Sequence, residues 1–226
     1  MGGRLLDADP PGNSDLKRAT VVDDDDGFRA SLIMLLETAG WRVDAFPSVE
    51  TFLAGSSLLD PGLLLLDLHL DTHSGLDLLE RGLIDLSRFG VVMVTGAGDI
   101  QTAVRSIQAG ALDFVEKPLV TAEVLDKLDH IHVAFQASVR AHARELDARR
   151  RVDKLSTRER DVLDRLLSGT SNKLIARELG LSPRTVEMHR ARMLQKLSVK
   201  STSQALDIAR VAGLKPVDES GDAGAS

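Results

Sequence analysis

Cysteine is missing from all 226 residues, and aromatic residues make up only 3% of them. Without cysteine there can be no disulfide, no thiolate catalysis and no cysteine-ligated zinc, so any metal must sit on oxygen or imidazole. The lack also suits a reducing compartment. With few aromatics, aliphatic side chains must fill the cores. No stretch approaches the roughly 18 consecutive apolar residues of a membrane span. The opening MGGRLLDADPP lacks the apolar segment of a signal peptide, so a soluble cytoplasmic protein is expected. Leu6 stands where a myristoylation motif needs Ser or Thr, which removes that reading of the Met-Gly start. Between Pro118 and Gly169 there is neither glycine nor proline. Helix is therefore the default conformation there, and it is expected through much of residues 121–152.

What is present divides in two. The net charge of −6 is a sum of opposites. Residues 1–130 hold 10 Lys/Arg against 22 Asp/Glu, a balance of −12, whereas residues 151–213 hold 13 against 7, a balance of +6. A basic segment attracts nucleic-acid backbones and an acidic one repels them unless a cation intervenes. The length also suits two small domains, with 43% hydrophobic residues to build their cores.

Residues 1–18 show no apolar period and read as a disordered extension. From Ala19, short apolar runs (ATVV, WRVDAF, LLLLD, VVMVT and DFVE) alternate with helical stretches. Strands apolar along their whole length, such as Leu63–Leu66 and Val91–Val94, belong in a parallel sheet covered on both faces. The expected fold is α/β and doubly wound, of flavodoxin-like type with five parallel strands, followed by an all-α domain of four helices. Leu125, Leu128, Phe135, Val139 and Leu146 recur at spacings of three, four and seven, one stripe of a helix that leads between the domains. The expected boundaries are 19–133 for the first domain, 134–153 for a helical linker, 154–213 for the second domain and 214–226 for a disordered tail.

Open parallel sheets bind ligands at the carboxyl ends of their strands. Two strands end in aspartate there: Asp23, Asp24, Asp25 and Asp26 follow the first, and Asp67 follows the third. Carboxylates gathered in one cleft repel unless a hard divalent cation joins them, and Mg2+ binds a few carboxylates while keeping waters for phosphate. The fourth strand ends in Thr95, a hydroxyl donor, and the fifth in Lys117-Pro118, which supplies an ammonium. Phosphoryl oxygens need both kinds of donor.

Residues 19 to about 133 thereby resemble the receiver domains of two-component response regulators. The resemblance implies that Asp67 accepts phosphate from a sensor histidine kinase, and that Asp24, Asp67 and the His69 carbonyl hold Mg2+. It implies further that Asp23 acts largely through water, that Thr95 and Lys117 grip the phosphoryl oxygens, and that the Lys117-Pro118 bond is cis. Thr95 and Phe114 would form the switch. Asp71 stands where the family usually has proline, a departure that bears on loop geometry and metal affinity. A haloacid dehalogenase type phosphatase also uses a strand-end aspartate, but it wants a second carboxylate where this chain has His69. His69 and His73 read as surface histidines, and His130, His132, His142 and His189 make no zinc-like spacing with carboxylates.

Residues 155–213 divide into four short helices at Gly169, Gly180 and Pro183. Ser156 or Thr157, Ser171 and Ser182 stand at capping positions, with Pro183 in a first turn. Val162, Leu163, Leu166, Ile175, Leu179, Val186, Met193 and Leu197 are the expected core. TRERDVL, SNKLIAREL and SPRTVEMHRARMLQKL look like the LuxR-type helix-turn-helix, and with a receiver ahead of them point to the FixJ-like subgroup. Such a module places the N-terminal half of its recognition helix in the major groove of double-stranded DNA. Glu187, Met188 and Ala191 are then candidates for base edges, and Lys173, Arg184, Thr185, Arg190 and Arg192 complete the DNA-binding set, the cations facing phosphates. His189 falls on the inward face. The whole implies a transcriptional response regulator that forms a homodimer when phosphorylated, with RNA polymerase as a further partner. A protein-interaction bundle is the alternative for this half.

Overall fold

The computed structural model describes residues 16–71, 73–96, 100–118 and 122–216. The chain divides into two compact units between Val139 and Arg140. In the first, strands β1 (Arg18–Val22), β2 (Arg42–Phe46), β3 (Gly62–Asp67), β4 (Phe89–Thr95) and β5 (Asp113–Glu116) form one sheet in the order β2-β1-β3-β4-β5. Every pairing is parallel. Helices α1 (Asp26–Thr38), α2 (Val49–Gly55), α3 (Gly75–Glu80), α4 (Ile100–Gln108) and α5 (Ala122–Asp153) connect or follow the strands.

The reason is visible in β3 and β4, which are buried along their whole length. Alternate side chains face opposite ways in a strand. Leu64, Leu66, Val91 and Met93 accordingly join Val22, Phe52 and Leu78 in one core, whereas Leu63, Leu65, Val92 and Val94 join Leu36, Leu128 and Phe135 in another. The strand order reverses between β1 and β3, so the crevice of a doubly wound sheet opens beside their carboxyl ends.

The boundaries shift in small, explicable ways. β1 begins at Arg18 and Lys17 pairs with Asp129 at 2.6 Å, so both residues belong to the folded unit and not to a disordered extension. Residues 1–15 of the expected extension lie outside the described residues. Helix α5 runs unbroken through the expected linker. Phe135 and Val139 pack in the first unit's core, and Ala148 and Val152 in the second's, which leaves 140–147 as the nearly fully exposed stretch. Leu146, expected on the apolar stripe, is 40% exposed. It continues the phase of Val139, whereas Ala148 lies nine residues, about two and a half turns, farther on and starts a stripe of different phase.

The second unit contains α6 (Thr157–Leu167), α7 (Asn172–Leu179), α8 (Pro183–Lys196) and α9 (Thr202–Val211). Ser156 forms a capping box with Glu159, and Ser171, Ser182 and Ser201 cap the next three helices. Gly180 closes α7 at φ 65°, the left-handed region that glycine enters without penalty, and so permits the tight turn into α8. Val162, Leu163, Ile175, Val186, Met193 and Leu197 are fully buried, with Leu166 and Leu179 packed against them. Ala205 and Ala209 of α9 and its cap Ala212 join this core, and Leu214 packs on it, so the polar tail starts beyond it. Residues 217–226 lie outside the described residues.

Candidate phosphoryl-acceptor site and nucleic-acid interface

The run Asp23 to Asp26 takes on four tasks. Asp23 is buried at the end of β1 and accepts the Asp25 N–H at 2.9 Å. Asp24 is half-buried beside it. Asp25 caps α1 by accepting the amides of Gly27 and Phe28, both at 2.9 Å. The Phe28 amide foremost, with that of Gly27, holds its carboxyl below the ordinary range. Asp26 is exposed and pairs with Arg29.

Register brings the rest together. Val22 pairs with Leu66, so Asp23 and Asp67 leave adjacent strands side by side. One oxygen each of Asp23, Asp24 and Asp67 lies within 4.8 Å of the others. Lys117 Nζ reaches Asp23 Oδ2 and Asp67 Oδ2, at 2.7 Å in each case, and lies 4.1 Å from the Phe28 ring centre. Burial foremost, and then the Asp67 charge, raise the Asp23 pKa despite the bond from Lys117. Burial alone would depress Lys117, but the bonds to Asp23 and Asp67 outweigh it and raise its pKa.

Asp67 accepts the His69 N–H at 3.2 Å, and Asp24 accepts that of Asp71 at 2.7 Å. The turn returns to the sheet at Gly75, where a Cβ would stand 2.2 Å from the Asp67 carbonyl oxygen. Only glycine fits that approach. Thr95 is buried at the end of β4, and its carbonyl accepts the Lys117 N–H at 2.7 Å. The Lys117-Pro118 bond is cis. Thr95 and Phe114 line one cavity of about 550 Å³ under α4, together with Leu68, Met93 and Ile107. The donor set is all oxygen, with three carboxylates and the backbone of the 67–71 turn. That chemistry suits Mg2+ better than a softer metal.

In the second unit, Arg184, Glu187, Met188, Ala191 and Arg192 are exposed on α8, as is Lys173 on α7. Thr185 is half-buried and shares its hydroxyl with Ser182 Oγ at 2.8 Å, inside the cap. Arg190 differs from the other cations. Its guanidinium donates to Asn172 Oδ1 at 2.8 Å and Thr202 Oγ1 at 2.7 Å, which ties α8 to α7 and α9. Charge and spacing carried no sign of that engagement. His189 is half-buried, and its Nδ1 is out of solvent with no hydrogen-bond partner among the described residues. At the end of α8, Lys196 donates to the buried Glu159 of α6 at 2.7 Å. Burial alone would raise Glu159, but Lys196 and Ser156 overcome this and hold its pKa below the ordinary value.

Among the described residues no helix is long and apolar enough to cross a membrane. The family described as response regulator receiver domain matches residues 19–129, and that described as bacterial regulatory proteins, luxR family, matches residues 153–209. The transcriptional regulatory protein FixJ of Azorhizobium caulinodans is 39% identical over 206 residues, covering 88% of this chain and 94% of that protein. FixJ of Bradyrhizobium diazoefficiens is 36% identical, over 86% of this chain and 95% of its own. Among solved structures, the response regulator StyR aligns with a TM-score of 0.74 at 33% identity, over 86% of this chain and 98% of its own. With a receiver at one end, a luxR-type helix-turn-helix at the other and relatives alike over nearly their whole length, the chain belongs to the FixJ-like transcriptional response regulators.

Proposed function

We propose that this protein is a phosphorylation-controlled DNA-binding regulator in which Asp67 is the phosphoacceptor. The observation that carries the reading is the convergence of Asp23, Asp24 and Asp67 with Lys117 at the switch point of the sheet. An Asp67 carboxylate oxygen attacks the phosphorus of a phosphohistidine on a sensor kinase. The O–P bond forms as the P–N bond breaks, and the imidazole nitrogen leaves with the electron pair. A bound Mg2+ would supply charge neutralisation for the incoming phosphoryl oxygens.

Asp24, Asp67 and the His69 carbonyl are the assigned ligands, and Asp23 works through water. Lys117 is already within bonding distance of Asp67 and carries the positive charge the phosphoryl group needs. Thr95 donates its hydroxyl to a phosphoryl oxygen, and Phe114 turns in the cavity it shares with Thr95. That movement alters the surface of α4 and β5 and favours a homodimer, whose two recognition helices meet a two-part site. Lys173, Arg184 and Arg192 contact phosphates; Thr185, Glu187, Met188 and Ala191 lie along the groove; Arg190 holds α8 in place. RNA polymerase is the further partner through which bound DNA is read.

The test is labelling of the full chain by acetyl phosphate with Mg2+, followed by intact-mass and peptide mass spectrometry. Asp67→Asn should abolish the added phosphoryl group and the donor-dependent gain in DNA affinity. Stoichiometric phosphate on another aspartate of the wild-type chain would overturn the assignment.

A further inference from the structure

Among the described residues each of the three clustered carboxylates accepts one backbone N–H, but from different distances along the chain. Asp23 takes it from Asp25 and Asp67 from His69, each two residues away. Asp24 takes it from Asp71, 47 residues away and on the opposite loop. Lys117 secures Asp23 and Asp67 but reaches neither oxygen of Asp24 in the bonds it makes. At 2.7 Å the Asp71 bond has the length of a charge-assisted one.

We infer that the Asp71 amide is the positioning group for Asp24, so that the loop after the phosphoacceptor presets the metal-binding carboxylate. Position 71 is where receivers usually carry proline, which has no N–H to donate. In this chain the donor exists because that proline is absent. A carboxylate held in one orientation loses less freedom on binding a cation, and partners that orient ligands govern affinity in metal sites. The bond also withdraws charge from one of three mutually repelling carboxylates. By linkage, a cation on Asp24 must in turn steady the turn that carries Asp71. The role belongs to the amide and not to the Asp71 side chain. This inference rests on the reading of Asp24 as a metal ligand.

Mn2+ titration of the full chain, with free Mn2+ followed by electron paramagnetic resonance, separates the two. Asp71→Ala keeps the amide and should bind Mn2+ within about twofold of wild type. Asp71→Pro removes the amide and should weaken binding by about tenfold, the low end for loss of an orienting partner. Equal loss in both, or none in Asp71→Pro, would overturn the inference. Asp24→Ala and Asp67→Ala should each weaken Mn2+ binding at least as much as Asp71→Pro. If neither does, the metal-site reading itself fails. Should Asp71→Pro misfold, amide hydrogen exchange decides in its place. The Asp71 amide should exchange about tenfold faster in Asp24→Ala than in wild type, and slower still in wild type saturated with Mg2+. Equal exchange in wild type and Asp24→Ala would sink the proposal.

Discussion

In the receiver unit the charged groups that matter are buried and face one another; in the helix-turn-helix unit most are exposed and face outward. Asp23 and Asp67 are 1% and 5% exposed and share Lys117. Lys173, Arg184 and Arg192 stand in solvent. Buried charge is held at the cost of desolvation and is poised to react to one more charge, such as a phosphoryl group. Exposed charge adds little to stability and is free to meet a polyanion. Arg190, and Lys196 with Glu159, are among the exceptions in the basic half, since their charges are engaged inside the unit.

Removing a charge should therefore have its largest effect in the acidic pocket. Lys117→Met leaves two buried carboxylates without their ammonium, a class of change that costs about 3 kcal/mol or more. Urea unfolding followed by the fluorescence of Trp41, buried in the receiver core, measures it. Millimolar Mg2+ should recover part of the loss by replacing the missing charge. A cost below about 1 kcal/mol would mean that the pocket's charges behave like surface ones, and the contrast between the units would fail.

The two units should also respond to acid with opposite sign. Asp23 has a folded pKa raised above 3.8. Its contribution to stability is complete below that value and is lost as pH rises through the folded pKa. Glu159 has a folded pKa lowered below 4.5. Its contribution is complete above 4.5 and is lost as pH falls through the folded value. Asp23→Asn and Glu159→Gln, compared with wild type from pH 3 to 6, should thus differ in stability with slopes of opposite sign. At neutral pH Glu159→Gln should also cost about 1 to 2 kcal/mol, from loss of a charged bond to Lys196. Parallel slopes would refute the electrostatic account of both pockets.

Much of this was legible because the relevant signals are local. Strands β3 and β4, apolar up to their last residue, announced a covered parallel sheet, and strand-end aspartates fell at the switch point because the sheet order put β1 beside β3. Serine caps and Gly180 marked the C-terminal helices through turn chemistry alone. What escaped was nonlocal or weakly apolar. Alanines line α9, and Ala148 with Val152 open a second stripe on α5, neither of which stands out by hydrophobicity. Arg190 looks like any other cation until α7 and α9 bring Asn172 and Thr202 to it. The Asp71 bond to Asp24 spans two loops and involves a backbone group, which no side-chain pattern records.

Arg190 and Lys173 sharpen the comparison within the basic half. Arg190→Ala should lower stability by about 1 to 2 kcal/mol through loss of two bonds. It should weaken DNA binding while leaving the salt dependence nearly intact. Lys173→Ala should leave the melting temperature unchanged, weaken binding to all sequences alike and reduce the salt slope by about one. Thermal melts with DNA titrations at 50 to 200 mM salt read both. A reduced salt slope in Arg190→Ala at unchanged stability would place that guanidinium on phosphate.

Met188→Ala should be the most selective change in its effect. The side chain is 41% exposed in the second turn of α8, and it has no charge to bring to a phosphate. Its removal should shift stability by no more than about 0.5 kcal/mol. A thioether offers apolar contact to a base edge, such as a thymine methyl, and apolar contacts discriminate among bases without adding to the salt slope. Binding selections from random DNA should therefore show altered preference at one or two base pairs in each half-site, with the rest of the site and the salt slope retained. Uniform weakening across all sequences would mean that α8 is rotated in the groove, with Glu187 or Ala191 carrying the base contacts in place of Met188.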